Sequence, residues 1–294
     1  MMRLVSFLHD GERRYGYIEG DEVKVTEGLG GRETGEEVKL SQVKLSSPFE
    51  PTAIFCTLVN SPRMLGVEGR EEAKAMLGSP KFFLKLPQIV IGPGDAIVAP
   101  ESGVRPEVEI GIVIAKPLKM ATRDEVRKSI LGYTVFNDVT APGEMKEDIY
   151  YAYRRDPLDG KIKKMAVRGT HFRNKNRDTF APMGPWIVTT EELSDVSGLI
   201  MRSIYGDSLV QEGSSDELVY GVEDLVMEVS RVVTVPKFSL ITTGTIGYKG
   251  AEEASEYRFH STEAKMIVEV EKIGRLENII KPEQRQGNNL VYQK

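Results

Sequence analysis

The run RPEVEIGIVIAK, residues 105–116, limits the choice of fold more than any other part of the sequence. Side chains of a strand alternate between its two faces. One face of this strand would be apolar, and the other begins with Glu107 and Glu109 and continues through small or apolar residues. Because neither face is typical of a solvent-exposed surface, we predict a strand that is buried on both sides and begins with two carboxylates. The alternative is a half-buried strand with a solvated acidic face.

A third carboxylate follows the strand predicted over residues 133–136. Asp138 shares a face with Phe136 and would lie at the end of that strand. Buried carboxylates that lie close together repel each other unless a proton or a cation compensates their charge. Glu107, Glu109 and Asp138 would supply three of the roughly six oxygens that Mg²⁺ prefers, which leaves positions for water and substrate. Such an open site suits Lewis-acid catalysis on a 2-oxo acid.

Cysteine and histidine are scarce in this chain. The one cysteine, Cys56, excludes an internal disulfide and any cysteine-built zinc or iron–sulfur framework. The three histidines, His9, His171 and His260, lie far apart in the sequence. If a metal ion binds, we therefore expect oxygen ligands.

Strands dominate the pattern along the chain. Residues 1–48 are predicted to form a small N-terminal β domain, in which Gly28–Glu37 is interpreted as a loop. Residues 49–283 form the predicted catalytic domain, and residues 284–294 a polar tail. Helices are few and no alternation of strand and helix is sustained, which favours an α+β fold.

Three local patterns are specific enough to predict single elements. Thr122 and Glu125 form a capping box ahead of a helix. Apolar residues at helical spacing predict a second helix over residues 222–229. Gly206-Asp207 and Gly274-Arg275 each separate two strand-like runs, as expected of hairpins.

Charge and hydropathy exclude several classes of protein. The chain has 294 residues and a formal net charge of −5, which is not the charge of a nucleic-acid-binding protein. No stretch approaches the roughly 18 apolar residues of a membrane span. The N-terminus lacks the pattern of a signal peptide, so we expect a cytoplasmic location without nucleic-acid or membrane partners.

Residues 146–177 form a basic segment. They hold ten Lys and Arg residues and four acids, a net charge of +6, so the rest of the chain carries −11. We interpret the segment as a loop-like lid, anchored by Tyr150, Tyr151 and Tyr153, whose Arg154 and Arg155 bind the far carboxylate of an anionic substrate. A solvated surface loop and a nucleic-acid contact are the alternatives.

These features, in this order, resemble the fumarylacetoacetate hydrolase superfamily. The resemblance spans about residues 50–280 and rests on the following matching runs: Phe83-Leu84-Lys85, GPGDAIVAP (92–100), RPEVEIGIVI (105–114), GYTVFNDVT (132–140), KNRDTFAPMGP (175–185), Gln211 and TTGTIG (242–247). Two local features are most similar to isomerases and decarboxylases of 2-hydroxyhepta-2,4-diene-1,7-dioate type: a proline after the run NDVT, and KNRDTF (175–180).

The resemblance implies a mixed β-roll catalytic domain, a homodimer, and Mg²⁺ or Mn²⁺ at Glu107, Glu109 and Asp138. It also implies that Lys175 is the active-site lysine, whose pKa a bound cation would lower. The substrate, a small anionic 2-oxo acid, would be bound by a second group of residues. This group comprises Gly244 and Thr245 near the carboxylate, Gln211, and the two arginines of the basic segment.

The chain departs from the family pattern at three places. Met64 stands where hydrolytic members carry a histidine, so a water-activating base is missing. Pro142 replaces a common arginine, and Lys237-Phe238-Ser239 replaces a Gly-Asp pair. We therefore expect isomerase or decarboxylase chemistry through a metal-stabilised enolate. The alternatives are hydrolysis of acylpyruvate or fumarylacetoacetate type, dehydration of 2-keto-3-deoxy sugar acids, and a catalytically idle anion-binding protein.

Overall fold

The computed structural model describes residues 2–249, 258–260 and 264–284. Almost all of the predicted polar tail, from residue 285 onward, lies outside the described residues. The strands in chain order are β1 (Arg3–His9), β2 (Glu12–Glu19), β3 (Glu22–Thr26), β4 (Glu33–Lys39), β5 (Lys44–Leu45), β6 (Ile54–Thr57), β7 (Phe82–Lys85), β8 (Val90–Ile91), β9 (Ala96–Ala99), β10 (Val108–Ile114), β11 (Ile130–Asn137), β12 (Ile149–Arg155), β13 (Ile162–Arg168), β14 (Ala181–Thr189), β15 (Ile200–Tyr205), β16 (Ser208–Ser214), β17 (Leu240–Thr242), β18 (Lys265–Val270) and β19 (Gly274–Pro282).

Helices are short and few. The α-helices are α1 (Pro62–Leu65), α2 (Arg70–Leu77), α3 (Arg123–Arg127), α4 (Phe172–Lys175) and α5 (Val222–Val232), and 3₁₀ turns span Leu40–Gln42, Pro87–Ile89, Pro142–Asp148 and Ser215–Glu217. The capping box of Thr122 and Glu125 and the helix over residues 222–229 are both confirmed. Among the described residues, no helix is long and apolar enough to cross a membrane.

Two mixed sheets build the fold. The larger has the order β4-β3-β2-β1-β14-β11-β10-β17-β6-β7, with β5 beside β1 and β8 beside β14. The smaller has the order β16-β15-β18-β19-β9. The apolar side chains of β10, β11, β15, β18 and β19 share one core cluster with α5. Strand-rich sheets with few helices confirm the predicted α+β class, and the hairpins β15–β16 and β18–β19 are also confirmed.

β10 lies in the middle of the larger sheet. It pairs antiparallel with β11 on one side and with β17 on the other. All seven of its residues are buried, and so is Glu107, which immediately precedes it. The prediction of a strand covered on both faces is therefore correct, and the alternative of a solvated acidic face is excluded.

Two segments that were interpreted as loops contain strands. β4 occupies the second half of Gly28–Glu37 and extends to Lys39, where cross-strand ion pairs such as Lys24–Glu37 join it to β3. An edge strand with one buried residue has no apolar alternation to reveal it. The loop prediction was therefore wrong for β4.

Most of the basic segment is a β-hairpin formed by β12 and β13, and α4 with Lys175 follows it. Tyr150, Tyr151 and Tyr153 are 51%, 66% and 70% exposed, so they do not anchor it to the rest of the chain as predicted. Strand pairing within the hairpin satisfies the hydrogen-bonding groups of its backbone without a packed core beneath it. Lys164 Nζ lies 5.1 Å from the centre of the Tyr151 ring. Tyrosine therefore contributes here to strand formation and to local cation–π contact.

The contact between β11 and β14 leads to a testable prediction. A Cβ atom on Gly132 would lie 2.1 Å from the carbonyl oxygen of Val188 and 2.8 Å from Ile187 Cγ2. We expect Gly132→Ala to lower the free energy of unfolding by about 2 kcal/mol or more, since a backbone oxygen in a central sheet cannot move aside cheaply. Urea denaturation measures the loss. Gly28→Ala is the matched control, because its Cβ would contact nothing within 4 Å. Equal stability of the two variants would contradict the prediction.

Candidate metal centre and active site

Three buried carboxylates meet at one end of β10, as predicted. Oxygens of Glu107, Glu109 and Asp138 lie within 4.8 Å of one another, and each side chain is almost fully buried. Strand pairing explains the meeting: Val108 lies opposite Asn137 in the β10–β11 register, and the Asp138 amide donates to the Glu107 carbonyl at 2.9 Å. The turn out of β11 therefore delivers Asp138 to the acidic face of β10.

Three buried cations surround these carboxylates. Lys175 Nζ lies 2.8 Å from Glu107 and 2.5 Å from Asp138. Arg105 binds the other oxygen of Glu107 through Nε at 3.0 Å and Nη2 at 2.8 Å. Lys85 Nζ lies 2.6 Å from the second oxygen of Asp138. Three acids and three bases thus lie together in a region shielded from water.

Lys85 and Arg105 were not predicted as site residues. Lys85 ends β7, where alternate residues Phe83 and Lys85 point inward. Its ammonium group also donates to the carbonyls of Val139 and Phe180. The alternation of β7 carried this signal, because it places a lysine on the same face as a buried phenylalanine.

The carboxylates differ in their electrostatic surroundings. Burial raises the pKa of Glu107, but the charges of Lys175 and Arg105 outweigh it and lower that pKa to about 2. Burial raises the pKa of Glu109 well above its usual range, and the charge of Asp138 raises it further. Among the described residues, Glu109 forms no ion pair of its own. This carboxylate is therefore the one whose ionisation most needs an added cation.

The two lysines differ in the same way. Burial lowers the pKa of Lys175, but Asp138 and Glu107 outweigh it and raise that pKa. The lowered pKa predicted for Lys175 refers to a site that holds a cation. Burial lowers the pKa of Lys85 even though Asp138 opposes the effect.

The residues present fit a divalent metal ion. Three carboxylates from adjacent strands offer oxygen atoms in one buried cluster, and one of them has no cation partner among the described residues. Hard cations such as Mg²⁺ and Mn²⁺ prefer oxygen ligands. Glu107, Glu109 and Asp138 are therefore the residues that would hold the ion.

The loop after β17 forms a wall of this centre. The Gly244 amide donates to Glu109 Oε2 at 3.2 Å, in a left-handed backbone conformation with φ +74°. Thr245 Oγ1 donates to the Val108 carbonyl at 2.8 Å and accepts from Gln211 Nε2 at 2.9 Å. The structure therefore brings Gly244 and Thr245 beside the carboxylates, and their contact with a substrate carboxylate stays a prediction.

Gln211 is buried, and its whole amide group is used by the protein. Its nitrogen donates to Thr245 and to the Ile246 carbonyl, and its oxygen accepts from the Val108 amide and the Ser203 hydroxyl. In this arrangement Gln211 fixes the loop after β17 against β10. Direct binding of substrate by Gln211 stays a prediction.

Met64 stands where a catalytic histidine is expected, and Asn60 precedes it by four residues. Met64 lies on α1 and packs against the apolar core cluster beneath it. Asn60 donates to the carbonyls of Tyr220 and Thr243 and accepts from the Tyr220 amide. Met64 therefore contributes to packing, and Asn60 supports the loop after β17. Neither side chain can act as a base.

Two cavities adjoin Lys175 and its neighbours. The first, of about 660 Å³, is largely apolar and is lined by Phe83, whose ring centre lies 5.2 Å from Lys175 Nζ. The second, of about 240 Å³, lies at the base of the hairpin and is lined by Lys146, Asn174 and Arg258. His171 lines both cavities, and its ring lies 5.9 Å from that of Phe83.

Arg154 and Arg155 lie at the other end of the hairpin, beside its turn. Both are exposed, and they hydrogen bond to the carbonyls of Tyr153 and Gly160 within the hairpin. The structure does not bring these two arginines together with the carboxylates, so their predicted role would require the hairpin to fold over the centre.

Comparison with known proteins agrees with this geometry. Residues 53–281 match the family described as fumarylacetoacetate (FAA) hydrolase C-terminal, and residues 2–48 match one described as Rv2993c-like, N-terminal. A 2,4-didehydro-3-deoxy-L-rhamnonate hydrolase of Sphingomonas sp. strain SKA58 is 28% identical over 198 residues, covering 66% of this chain and 62% of that protein. An oxaloacetate tautomerase of Bacillus subtilis strain 168 is 26% identical over 245 residues, covering 82% of this chain and 74% of that protein. The crystal structure of 2-hydroxyhepta-2,4-diene-1,7-dioate isomerase from Mycobacterium marinum is similar with a TM-score of 0.75 and 26% identity, covering 97% of this chain and 100% of that one.

The ion pair between Lys85 and Asp138 gives a prediction about stability. Removing one partner of a buried ion pair leaves an uncompensated charge, which costs about 3–5 kcal/mol. We expect Lys85→Met to lower the free energy of unfolding by that amount in urea denaturation. Lys81→Met, at an exposed position just before β7, is the matched control and should change it by less than about 0.5 kcal/mol. A Lys85→Met variant as stable as the control would show that the pair is dispensable.

Proposed function

Because this chain belongs to the fumarylacetoacetate hydrolase family, we propose that it is a divalent-metal-dependent isomerase or decarboxylase. Its substrates would be small 2-oxo or 2-hydroxydienoate dicarboxylates, and the reaction would pass through an enolate of the substrate. The observation that carries this proposal is the buried cluster of Glu107, Glu109 and Asp138 with Lys175 at hydrogen-bond distance from two of the three.

The carboxylate cluster would hold Mg²⁺ or Mn²⁺. When bound, the ion supplies Lewis-acid stabilisation of negative charge that develops on the 2-oxygen of the substrate. The chain's own residues supply the rest. The backbone of Gly244 and Thr245 would orient the substrate carboxylate, since the Thr245 hydroxyl already donates to the Val108 carbonyl. Phe83 would shield the reacting atoms from water.

Lys175 would move the proton. Its Nζ is buried and held between Glu107 and Asp138, so it faces the space in which a substrate bound at the cluster must lie. A lysine ammonium group placed there can donate a proton to, or take one from, a carbon next to the enolate. Isomerisation needs only such a transfer between two substrate carbons, and decarboxylation needs it once CO₂ has left.

Hydrolysis of acylpyruvate or fumarylacetoacetate type and sugar-acid dehydration are the second candidates. The named hydrolase relative favours them. Against hydrolysis, Met64 offers no base to activate water, because its side chain is apolar and packs against the core. The names oxaloacetate tautomerase and 2-hydroxyhepta-2,4-diene-1,7-dioate isomerase favour a proton shift within one substrate, for which Lys175 would be the proton-transfer group at this centre.

The distal carboxylate of the substrate needs a cation outside the metal centre. Lys146 and Arg258 line the 240 Å³ cavity beside Asn174, the residue before Lys175. We assign the distal carboxylate to these two cations in the described conformation. Arg154 and Arg155 would take that role if the hairpin closes over the cavity.

Metal binding and turnover can be separated by two variants. We expect Glu109→Gln to lose Mg²⁺ binding in calorimetry. The same variant should lose turnover in a Mg²⁺-supplemented screen of 2-oxo acids. Turnover is measured as loss of enol absorbance and as release of CO₂ or pyruvate. Lys175→Met should keep Mg²⁺ binding and lose about 10²–10⁴-fold in kcat, the contribution of a positioned proton donor. Glu68→Gln, on an exposed loop, is the control. Retention of both metal affinity and turnover by Glu109→Gln would refute the proposal.

Substrate length can be tested at the cavity. We expect Lys146→Met to raise KM for a dicarboxylate about tenfold or more and to leave KM for the matching monocarboxylate unchanged, since it removes one charge-assisted contact. The double variant Arg154→Met/Arg155→Met tests the closed hairpin. A larger effect of the double variant than of Lys146→Met would assign the distal carboxylate to the hairpin instead.

A further inference from the structure

A third cavity lies behind β10, on the face opposite the carboxylates. Its volume is about 340 Å³, within the range of small-molecule sites. Ile110 of β10 forms part of its floor, and strand alternation directs Ile110 away from the face that carries Glu109. Val196, Leu218 and Val222 complete an apolar lining. None of the residues proposed above for the metal centre lines this cavity.

Two buried tyrosines line the cavity. Tyr133 is 4% exposed and Tyr220 is 5% exposed. The phenol oxygen of Tyr220 is fully buried and is closed to a molecule in the cavity. The phenol oxygen of Tyr133 hydrogen bonds to no described residue and is not fully buried. The Tyr133 hydroxyl therefore has a donor available for a molecule in the cavity.

The cavity also meets the beginning of α5. Gly221, the N-cap residue, lines it and has no side chain to cap the first N–H groups of an 11-residue helix. Arg70 lines the same cavity, and its guanidinium bonds to the Val219 carbonyl without any carboxylate partner among the described residues. Unsatisfied helix N–H groups and a guanidinium attract an anion.

The acidic residues that line this cavity already have ion-pair or hydrogen-bond partners. Glu223 pairs with Arg127 at 2.9 Å. Asp195 accepts from the amide and hydroxyl of Ser197, and Asp216 accepts from the Gly198 amide. The donors that remain are the Tyr133 hydroxyl, the first turn of α5 and Arg70, and they suit a ligand with an acceptor group.

We propose that this cavity binds a small carboxylic acid with an apolar body. The carboxylate would lie between Arg70 and the first turn of α5, the body against Ile110 and Leu218, and an oxygen within reach of a tyrosine hydroxyl. The inference does not depend on the reaction proposed for the metal centre. It adds a second binding site on the other side of the same sheet.

A fluorinated aromatic acid tests the site. 4-Fluorobenzoate is titrated into the full chain without added metal, and binding is followed by ¹⁹F NMR. We expect binding in the micromolar to millimolar range, weakened about tenfold or more by Tyr133→Phe and by Arg70→Gln, since each removes one hydrogen bond to a charged or polar ligand group. Lys175→Met, which alters only the metal centre, should leave the affinity unchanged. Urea midpoints of the variants show whether each is folded.

Three results would overturn the proposal. One is the absence of binding at 4-fluorobenzoate concentrations up to about 10 mM, since weaker binding would not be specific. Another is a loss of affinity in Lys175→Met with none in Tyr133→Phe or Arg70→Gln, which would assign the acid to the metal centre. A third is tighter binding of 4-fluorobenzylamine than of 4-fluorobenzoate, which would show that Asp195 and Asp216 select a cation. Because Arg70 is exposed at the start of α2, Arg70→Gln keeps the test decisive even if Tyr133→Phe unfolds.

Discussion

The balance of buried charge at β10 is the constraint on which the rest of the structure depends. Three carboxylates on adjacent strands cannot be ionised together in a dry interior unless cations compensate them. The fold meets this need with Lys85, Arg105 and Lys175, which come from three separate segments of the chain. Strand β7, the approach to β10 and helix α4 must therefore be in place together. The same contacts that stabilise the fold also hold Lys175 and the three carboxylates together in the arrangement from which we propose metal binding and proton transfer.

Sequence alone predicts the acidic half of this centre and misses most of the basic half. Glu107 and Glu109 follow from the alternation of one strand, and Asp138 from the end of the next, because both are local patterns. The alternation of β7 places Lys85 on an inward face, but its contact with Asp138, 53 residues further along the chain, is not encoded by a local pattern. Lys175 was predicted through family resemblance, and the structure shows the physical reason for its position, since it bridges two of the three carboxylates.

The same distinction explains the fold predictions. The α+β class, the hairpin β15–β16 and the helix α5 follow from apolar periodicity and turn residues, which express burial directly. β4 and the hairpin β12–β13 have exposed side chains, so their strand pairing rests on backbone hydrogen bonds and cross-strand contacts that leave no apolar alternation. Strands of this kind are hidden from sequence patterns because their stability does not come from a hydrophobic face.

The loop after β17 joins the two faces of the sheet. Thr243 bonds to Ile110 on the apolar side, and the next residue, Gly244, contacts Glu109 on the acidic side. A side chain at Gly244 would meet Asn60 Cβ at 3.0 Å in a backbone conformation that favours glycine, so this position admits little change. The cluster at β10 and the loop therefore constrain each other closely. The names of similar proteins include a hydrolase, a tautomerase and an isomerase, so the shared fold does not by itself decide the reaction. We propose that groups around the centre decide the substrate instead, with Lys146 and Arg258 in the cavity wall as the contacts of a distal carboxylate.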